Sequence, residues 1–197
     1  MNASFVPDDY FRTHSAAEIF GDGEVCEVDL GCGEGGFLSA MARRHPERLF
    51  LGVERLEGRA KIACRAAERA GLRNVRVLRI ESRYFLEWFL KPGLITRLHY
   101  LFPDPWPKKK KHKKRLVQAD FPPVLHRALA PGGEFLFKTD HREYFEWVNE
   151  RMAGSGLFLR LEWSEDAFFY PKTDFQRQWE AKGREIFRAR FRKADAA

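Results

Sequence analysis

Residues 25–36 read Val-Cys-Glu-Val-Asp-Leu-Gly-Cys-Gly-Glu-Gly-Gly, and their reading decides the fold. An apolar run ending in Asp29, a turn rich in glycine from Gly31 to Gly36 and a helical pattern from Phe37 predict strand, turn and helix. Glycine lets backbone N–H groups come close to a ligand at a helix N-terminus, so the unit is a nucleotide-type binding turn. Gly31, Gly33 and Gly36 also satisfy G-x-G-x-x-G, with Glu54 at about the 20-residue distance of a dinucleotide fingerprint. Asp29 argues against a dinucleotide. Its carboxylate stands two residues before the first glycine, where the doubly charged pyrophosphate would lie. A cofactor with an ammonium and a sulfonium suits that carboxylate better, which describes S-adenosylmethionine.

Outward from this turn, strand-like runs alternate with helical patterns, the signature of a parallel sheet built from βαβ units. Strands are expected at residues 25–30, 49–53, 75–80, 98–102 and 134–138. Helices are expected at 37–44, 58–70, from Asp120 as N-cap to 130, and at 143–152, with 131–133 (Pro-Gly-Gly) as a break. Residues 158–163 and 186–191 read as an antiparallel pair at one sheet edge, with the non-strand segment 173–183 between them. Residues 16–20 read as a short helix. The expected architecture is α/β, a Rossmann-like, mostly parallel sheet with an antiparallel C-terminal edge and helices on both faces, in one domain over residues 1–197.

Composition narrows the class. At 44% apolar and 32% charged, the chain is a globular type and not a disordered one. No apolar run approaches the roughly 18 residues of a membrane span, and the start lacks the basic and apolar regions of a signal peptide. Cys26, Cys32 and Cys64 form no C-x-x-C pair, and the histidines show no metal spacing, so no metal is expected and a reducing cytoplasm is the expected home. The chain has 35 Lys and Arg against 28 Asp and Glu. Residues 108–115, Lys-Lys-Lys-Lys-His-Lys-Lys-Arg, hold 7 of those cations, and without them the charges balance. Such a local device points to a polyanionic partner.

Ligands of open α/β sheets bind outside the carboxyl ends of the strands. Asp29, Glu54, Glu81, Asp104 and Asp140 all fall there. Each alone would pass as a solvated loop carboxylate; five on one rim define a site. Glu54 fits the ribose hydroxyls, Glu81 an adenine amino group and Asp29 the methionine end. Phe102-Pro103-Asp104-Pro105-Trp106 is a loop stiffened by two prolines. A rigid acid beside a tryptophan suits a flat base. The lysine run begins two residues after Trp106, close enough for its cations to meet phosphates around a target nucleotide. Thr173-Asp174-Phe175-Gln176 reads from composition as a surface loop.

These motifs, together with Leu51-Gly52-Val53-Glu54, Pro131-Gly132-Gly133 and Lys138-Thr139-Asp140, occur in the order found in one family. The chain resembles the bacterial tRNA (guanine-N7)-methyltransferases along nearly its whole length. The Phe-Pro-Asp-Pro-Trp stretch with its basic run is the specific element. The resemblance implies a class I methyltransferase fold and methyl transfer from S-adenosylmethionine to a guanine of the tRNA variable loop. It implies cofactor binding by Asp29, Glu54, Glu81 and Asp104 beside Gly31 and Gly33, with Asp104 as active-site acid, and tRNA contacts by Lys108, Asp140, Thr173, Asp174, Phe175 and Gln176. The expected assembly is a monomer or homodimer. The chain departs from the family pattern in having Asp29 for Glu, Glu81 for Asp or Asn, and Gln176 for Glu. Its segment ahead of the first strand is also shorter than is common. The rival readings are a NAD-dependent oxidoreductase and a non-catalytic RNA-binding protein on the same fold.

Overall fold

The computed structural model describes residues 2–164 and 166–195. The glycine-rich unit forms as expected: strand β2 (Cys26–Leu30) is wholly buried, and helix α2 (Gly36–Arg44) starts directly after the turn. A short strand β1 (Ser4–Phe5) and the expected helix α1 (Ala16–Phe20) precede it. Then follow β3 (Phe50–Val53), α3 (Glu57–Arg69) and β4 (Val75–Leu78). Helix α4 (Ser82–Tyr84) runs on as a wider π-helical turn over Phe85–Phe89. Next come β5 (Ile95–Leu101), α5 (Phe121–Ala128), β6 (Leu129–Thr139), α6 (Arg142–Gly154), β7 (Phe158–Leu161), α7 (Asp174–Ala181) and β8 (Phe187–Lys193). The eight strands lie in the order β1-β4-β3-β2-β5-β6-β8-β7. All neighbours from β1 to β6 are parallel, while β8 is antiparallel to both β6 and β7.

Strand period puts alternate residues on opposite faces. On one face Cys26, Val28 and Leu30 join a large core with α1, the π turn, α5 and α6. On the other, α2 and α3 bring Phe37, Leu38, Met41, Ala60, Ala63 and Ala67 onto Phe50, Val75 and Val77. That second apolar core stops short of β6. Beyond it the face carries Glu27, His99, Lys138 and Glu134, covered by Phe168, Tyr170 and α7.

Several expectations need correction. The helix meant to reach residue 130 ends at Ala128, and residues 131–133 do not break the chain before a strand. They bulge out within β6, whose partners shift from Ile95↔Leu129 to Arg97↔Glu134. A bulge absorbs extra residues without ending the ladder. Asp120 takes the expected N-cap position, but its side chain makes no capping bond; its carboxylate accepts two bonds from Arg83, at 2.7 and 3.3 Å. The segment 173–183 contains α7.

Gly35 shows why this turn is written in glycines. It has φ +79°, and a Cβ there would lie 2.9 Å from the Ala63 Cβ of α3. Gly35→Ala should therefore lose about 2 kcal/mol or more, from the left-handed backbone and the clash together, measured by urea unfolding. An unchanged midpoint would show that α2 and α3 separate freely.

Candidate active site

The order β3-β2-β5 reverses direction at β2, and this is where an open sheet leaves a crevice at its carboxyl end. The Gly31 and Cys32 N–H groups both donate to the Val53 carbonyl, at 2.8 and 3.0 Å, stitching the glycine turn to β3. Glu54 completes the stitching by accepting from the Gly33 N–H at 3.1 Å and the Leu56 N–H at 2.8 Å. Above Gly31 and Gly33 nothing lies within 4 Å of where a Cβ would be, so the turn is an open cradle.

Asp29 is 4% exposed at the base of this cradle, and no described residue donates a hydrogen bond to its carboxylate. Burial, with a smaller push from the Glu54 charge, raises its pKa to about 7. A buried acid to which no described residue donates, beside a second acid, has the chemistry to accept a cation. The ammonium of S-adenosylmethionine is such a group, and the donor set fits it.

Glu81 caps α4 by accepting from the Tyr84 N–H at 2.8 Å. With Tyr10, Arg55, Arg79, Ile80 and Tyr84 it lines a cavity of about 450 Å³. The Tyr84 hydroxyl donates to the Tyr10 carbonyl at 2.8 Å, which pins the N-terminal segment at the rim. Neither tyrosine belongs to a readable motif, and sequence reasoning missed both. A larger cleft of about 670 Å³, lined by Asp22, Glu47, Arg48 and Arg97 among others, opens at the opposite end of the strands and contains none of the site residues.

Asp104 is exposed in a loop whose ends are both forced. Phe102 has φ 50° and Trp106 φ 44°, left-handed conformations that cost bulky residues on the order of 1–3 kcal/mol each. Arg115 offsets that cost. Its side chain is fully buried; Nε donates to the Pro105 carbonyl at 2.8 Å, and the other nitrogens hold both Glu143 oxygens at 2.9 and 2.5 Å. Its guanidinium also lies over Tyr144 and Trp147. This corrects the reading of residues 108–115 as one phosphate-facing run. A guanidinium so fully partnered gains nothing from solvent, and Arg115 braces the loop instead. The lysines form a 3-10 turn (Lys109–Lys114) in which Lys111 and Lys114 stand over the Trp106 ring, at 5.5 and 4.7 Å. Lys108, Lys109, Lys110 and Lys113 are exposed.

Asp140, after β6, accepts from Arg184 at 2.5 Å. Thr173 caps α7 by accepting from the Gln176 N–H at 3.0 Å, and Asp174 leans to 3.4 Å from where a Gly36 Cβ would be. The start of α7 thus stands over the glycine turn, with Phe175 exposed beside it. Gln176 turns inward and is 1% exposed. Its carbonyl accepts from Lys138 at 3.1 Å while its amide donates to Glu180 at 2.8 Å. A glutamate could accept from Lys138 but would repel Glu180, which accounts physically for the neutral residue here.

The family model described as "Putative methyltransferase" matches residues 23–189. Among solved structures, the 16S rRNA methyltransferase KamB superposes with a TM-score of 0.63 at 21% identity, covering 93% of this chain and 95% of that one. The antibiotic-resistance methyltransferase Kmr gives 0.60 at 18% identity, with 88% of both chains covered. The fold is that of the class I methyltransferases. The tRNA (guanine-N(7)-)-methyltransferase of Syntrophotalea carbinolica is 35% identical over 86% of this chain and 75% of its own length. Its counterpart from Geobacter metallireducens is 30% identical over 95% and 90%. The chain belongs to the tRNA (guanine-N7)-methyltransferase family, and the oxidoreductase reading of its glycines falls away.

The raised pKa of Asp29 makes a signed prediction. An acid that titrates higher folded than unfolded destabilises the fold as pH rises from its unfolded value, near 3.8, to about 7, and by a constant amount above that. Asp29→Asn should therefore raise the Tm of the ligand-free protein at pH 8, with the gain shrinking toward pH 4. The same variant should bind S-adenosylmethionine at least about tenfold more weakly, as loss of a charged partner predicts. Calorimetry and thermal melts read both, and a lower Tm at pH 8 would contradict the assignment.

Proposed function

We propose that this chain transfers the methyl group of S-adenosylmethionine to N7 of a guanine in the tRNA variable loop. The observation that supports the reading is Asp104: exposed, in a strained and braced loop that follows β5, the neighbour of β2, and runs directly into the lysine turn. Asp29 would hold the methionine ammonium, Glu54 the ribose hydroxyls and Glu81 the adenine amino group. The cofactor supplies an activated methyl on a sulfonium. Lys108 and its neighbours would meet the phosphates flanking the target, and Asp140 with Thr173–Phe175 would border the base. Gln176 would serve that border from within, through Lys138 and Glu180.

Guanine N7 offers an in-plane lone pair and has no proton to lose. No general base is needed, only alignment of N7 with the methyl and a field that accepts positive charge on the purine. Asp104 answers both needs, since a fixed carboxylate orients the base and stabilises the charge arriving on it. The strain at Phe102 and Trp106 is then the cost of holding that acid off the core.

Asp104→Ala should lower methyl transfer by about 10²-fold or more while leaving Tm unchanged, as removal of one preorganised electrostatic group does. Activity within a few-fold of wild type would remove Asp104 from the reaction. The lysine turn is tested separately. Replacing Lys109, Lys110 and Lys113 with alanine should flatten the log–log salt dependence of tRNA affinity by up to about two to three units, at roughly 0.7–0.9 per phosphate. Filter binding from low to moderate salt measures this, and an unaltered slope would mean that the turn is merely solvated.

A further inference from the structure

The half of the sheet face that α2 and α3 leave bare is closed by a polar chain. Glu27 on β2 is 2% exposed and His99 on β5 is 1% exposed. Arg48 donates to one Glu27 oxygen at 2.8 Å, and His99 Nε2 lies 3.0 Å from the other. Burial by itself would raise the pKa of Glu27, but the bonds from His99 and Arg48 outweigh it and bring it down to about 2. An ionised Glu27 accepts only, so Nε2 carries the proton. The other ring nitrogen, Nδ1, lies 2.8 Å from the Tyr170 hydroxyl and shares a hydrogen bond with it.

Tyr170 belongs to the segment that leads into α7. Its ring packs on Phe37, the second residue of α2, with centroids 4.9 Å apart, and on Trp163 at 4.8 Å. The Lys138 ammonium lies over Tyr170 and Trp163 and also donates to Gln176. Three residues after Tyr170, Thr173 caps α7, and Asp174 reaches over the glycine turn. The chain Arg48–Glu27–His99–Tyr170 therefore crosses the buried sheet face and ends on the stretch that sets the start of α7.

We propose that Tyr170, fixed through its hydroxyl by the buried His99–Glu27–Arg48 chain, is a positioning residue that holds residues 173–175 in register with the cofactor turn for tRNA binding. This rests on the reading that those residues border the tRNA guanine. A hydrophobic residue at 170 could fill the same space between Phe37 and Trp163. Only a hydroxyl can take its orientation from His99, which is why an apolar seal would leave the approach to α7 free to slide.

The test uses the full-length enzyme with unmodified tRNA and S-adenosylmethionine. Tyr170→Phe keeps the ring and removes one hydrogen bond. It should raise the KM for tRNA about three- to tenfold, with kcat and the Kd for S-adenosylmethionine within about twofold of wild type. His99→Asn keeps a polar atom near Nδ1 for the tyrosine but loses the link to Glu27, and should raise the KM for tRNA by less than Tyr170→Phe does, whatever its Tm. His99→Gln keeps the link to Glu27 but not that to Tyr170 and should behave like Tyr170→Phe. Two results would overturn the proposal: an unmoved KM for tRNA in Tyr170→Phe, or equal shifts in the Asn and Gln variants, which would indicate core damage alone. Inactivity of the wild type on tRNA would sink the broader reading of function. An active wild type with unresponsive variants would sink only this one.

Discussion

The whole arrangement depends on a reversal of strand order at one place. β2 has β3 on one side and β5 on the other, so the loops leaving β2 and β5 part at the carboxyl edge and open a crevice. The acids assigned to the site, Asp29, Glu54, Glu81, Asp104 and Asp140, stand on that edge because the parallel strands all end there. The acid at the end of β2 is the most constrained. Neighbouring strands bury its flanks, Glu54 repels it, and no described residue donates to it. A folded chain keeps such a group only at a cost, which is the ground for proposing a cation as its partner.

Two further polar anchors hold what surrounds the crevice, and both lie where an apolar core would serve stability as well. Arg115 fixes the Phe-Pro-Asp-Pro-Trp loop through a carbonyl, a carboxylate and two aromatic faces. Lys138 and His99 fix the approach to α7 through Gln176 and Tyr170. Breaking one partner of such a buried set leaves the other unsatisfied, so these contacts specify geometry more than they add stability. The two elements proposed to face the tRNA, the lysine turn and α7, are thus each backed by a directional network.

Much of this was legible in the sequence. Apolar runs and helical spacing located β2, α2, β3, α3, β4 and α6 to within a few residues, because those patterns are local. The acids at the strand ends could be placed on one rim from the parallel topology alone. The hidden parts depend on distant partners. β1 has two residues, too few for any period to show. The aromatic run after Ser82 mixes helix and strand preferences and becomes a helix with a π turn because Phe85, Leu86 and Phe89 all reach the core. Arg115 looked like the last of seven cations, and only the position of Glu143, 28 residues on, takes it out of solvent. Gln176 looked like a weakened surface contact until Glu180 and Lys138 appeared on either side of it.

The central claim concerns where the methyl group goes. Unmodified tRNA incubated with the protein and labelled S-adenosylmethionine, then treated to cleave the strand at N7-methylguanine, reads this directly. The account predicts label incorporated at a single guanine of the variable loop, with strand scission there and nowhere else. Label at another atom or another base, or no label from an enzyme that still binds the cofactor, would contradict it.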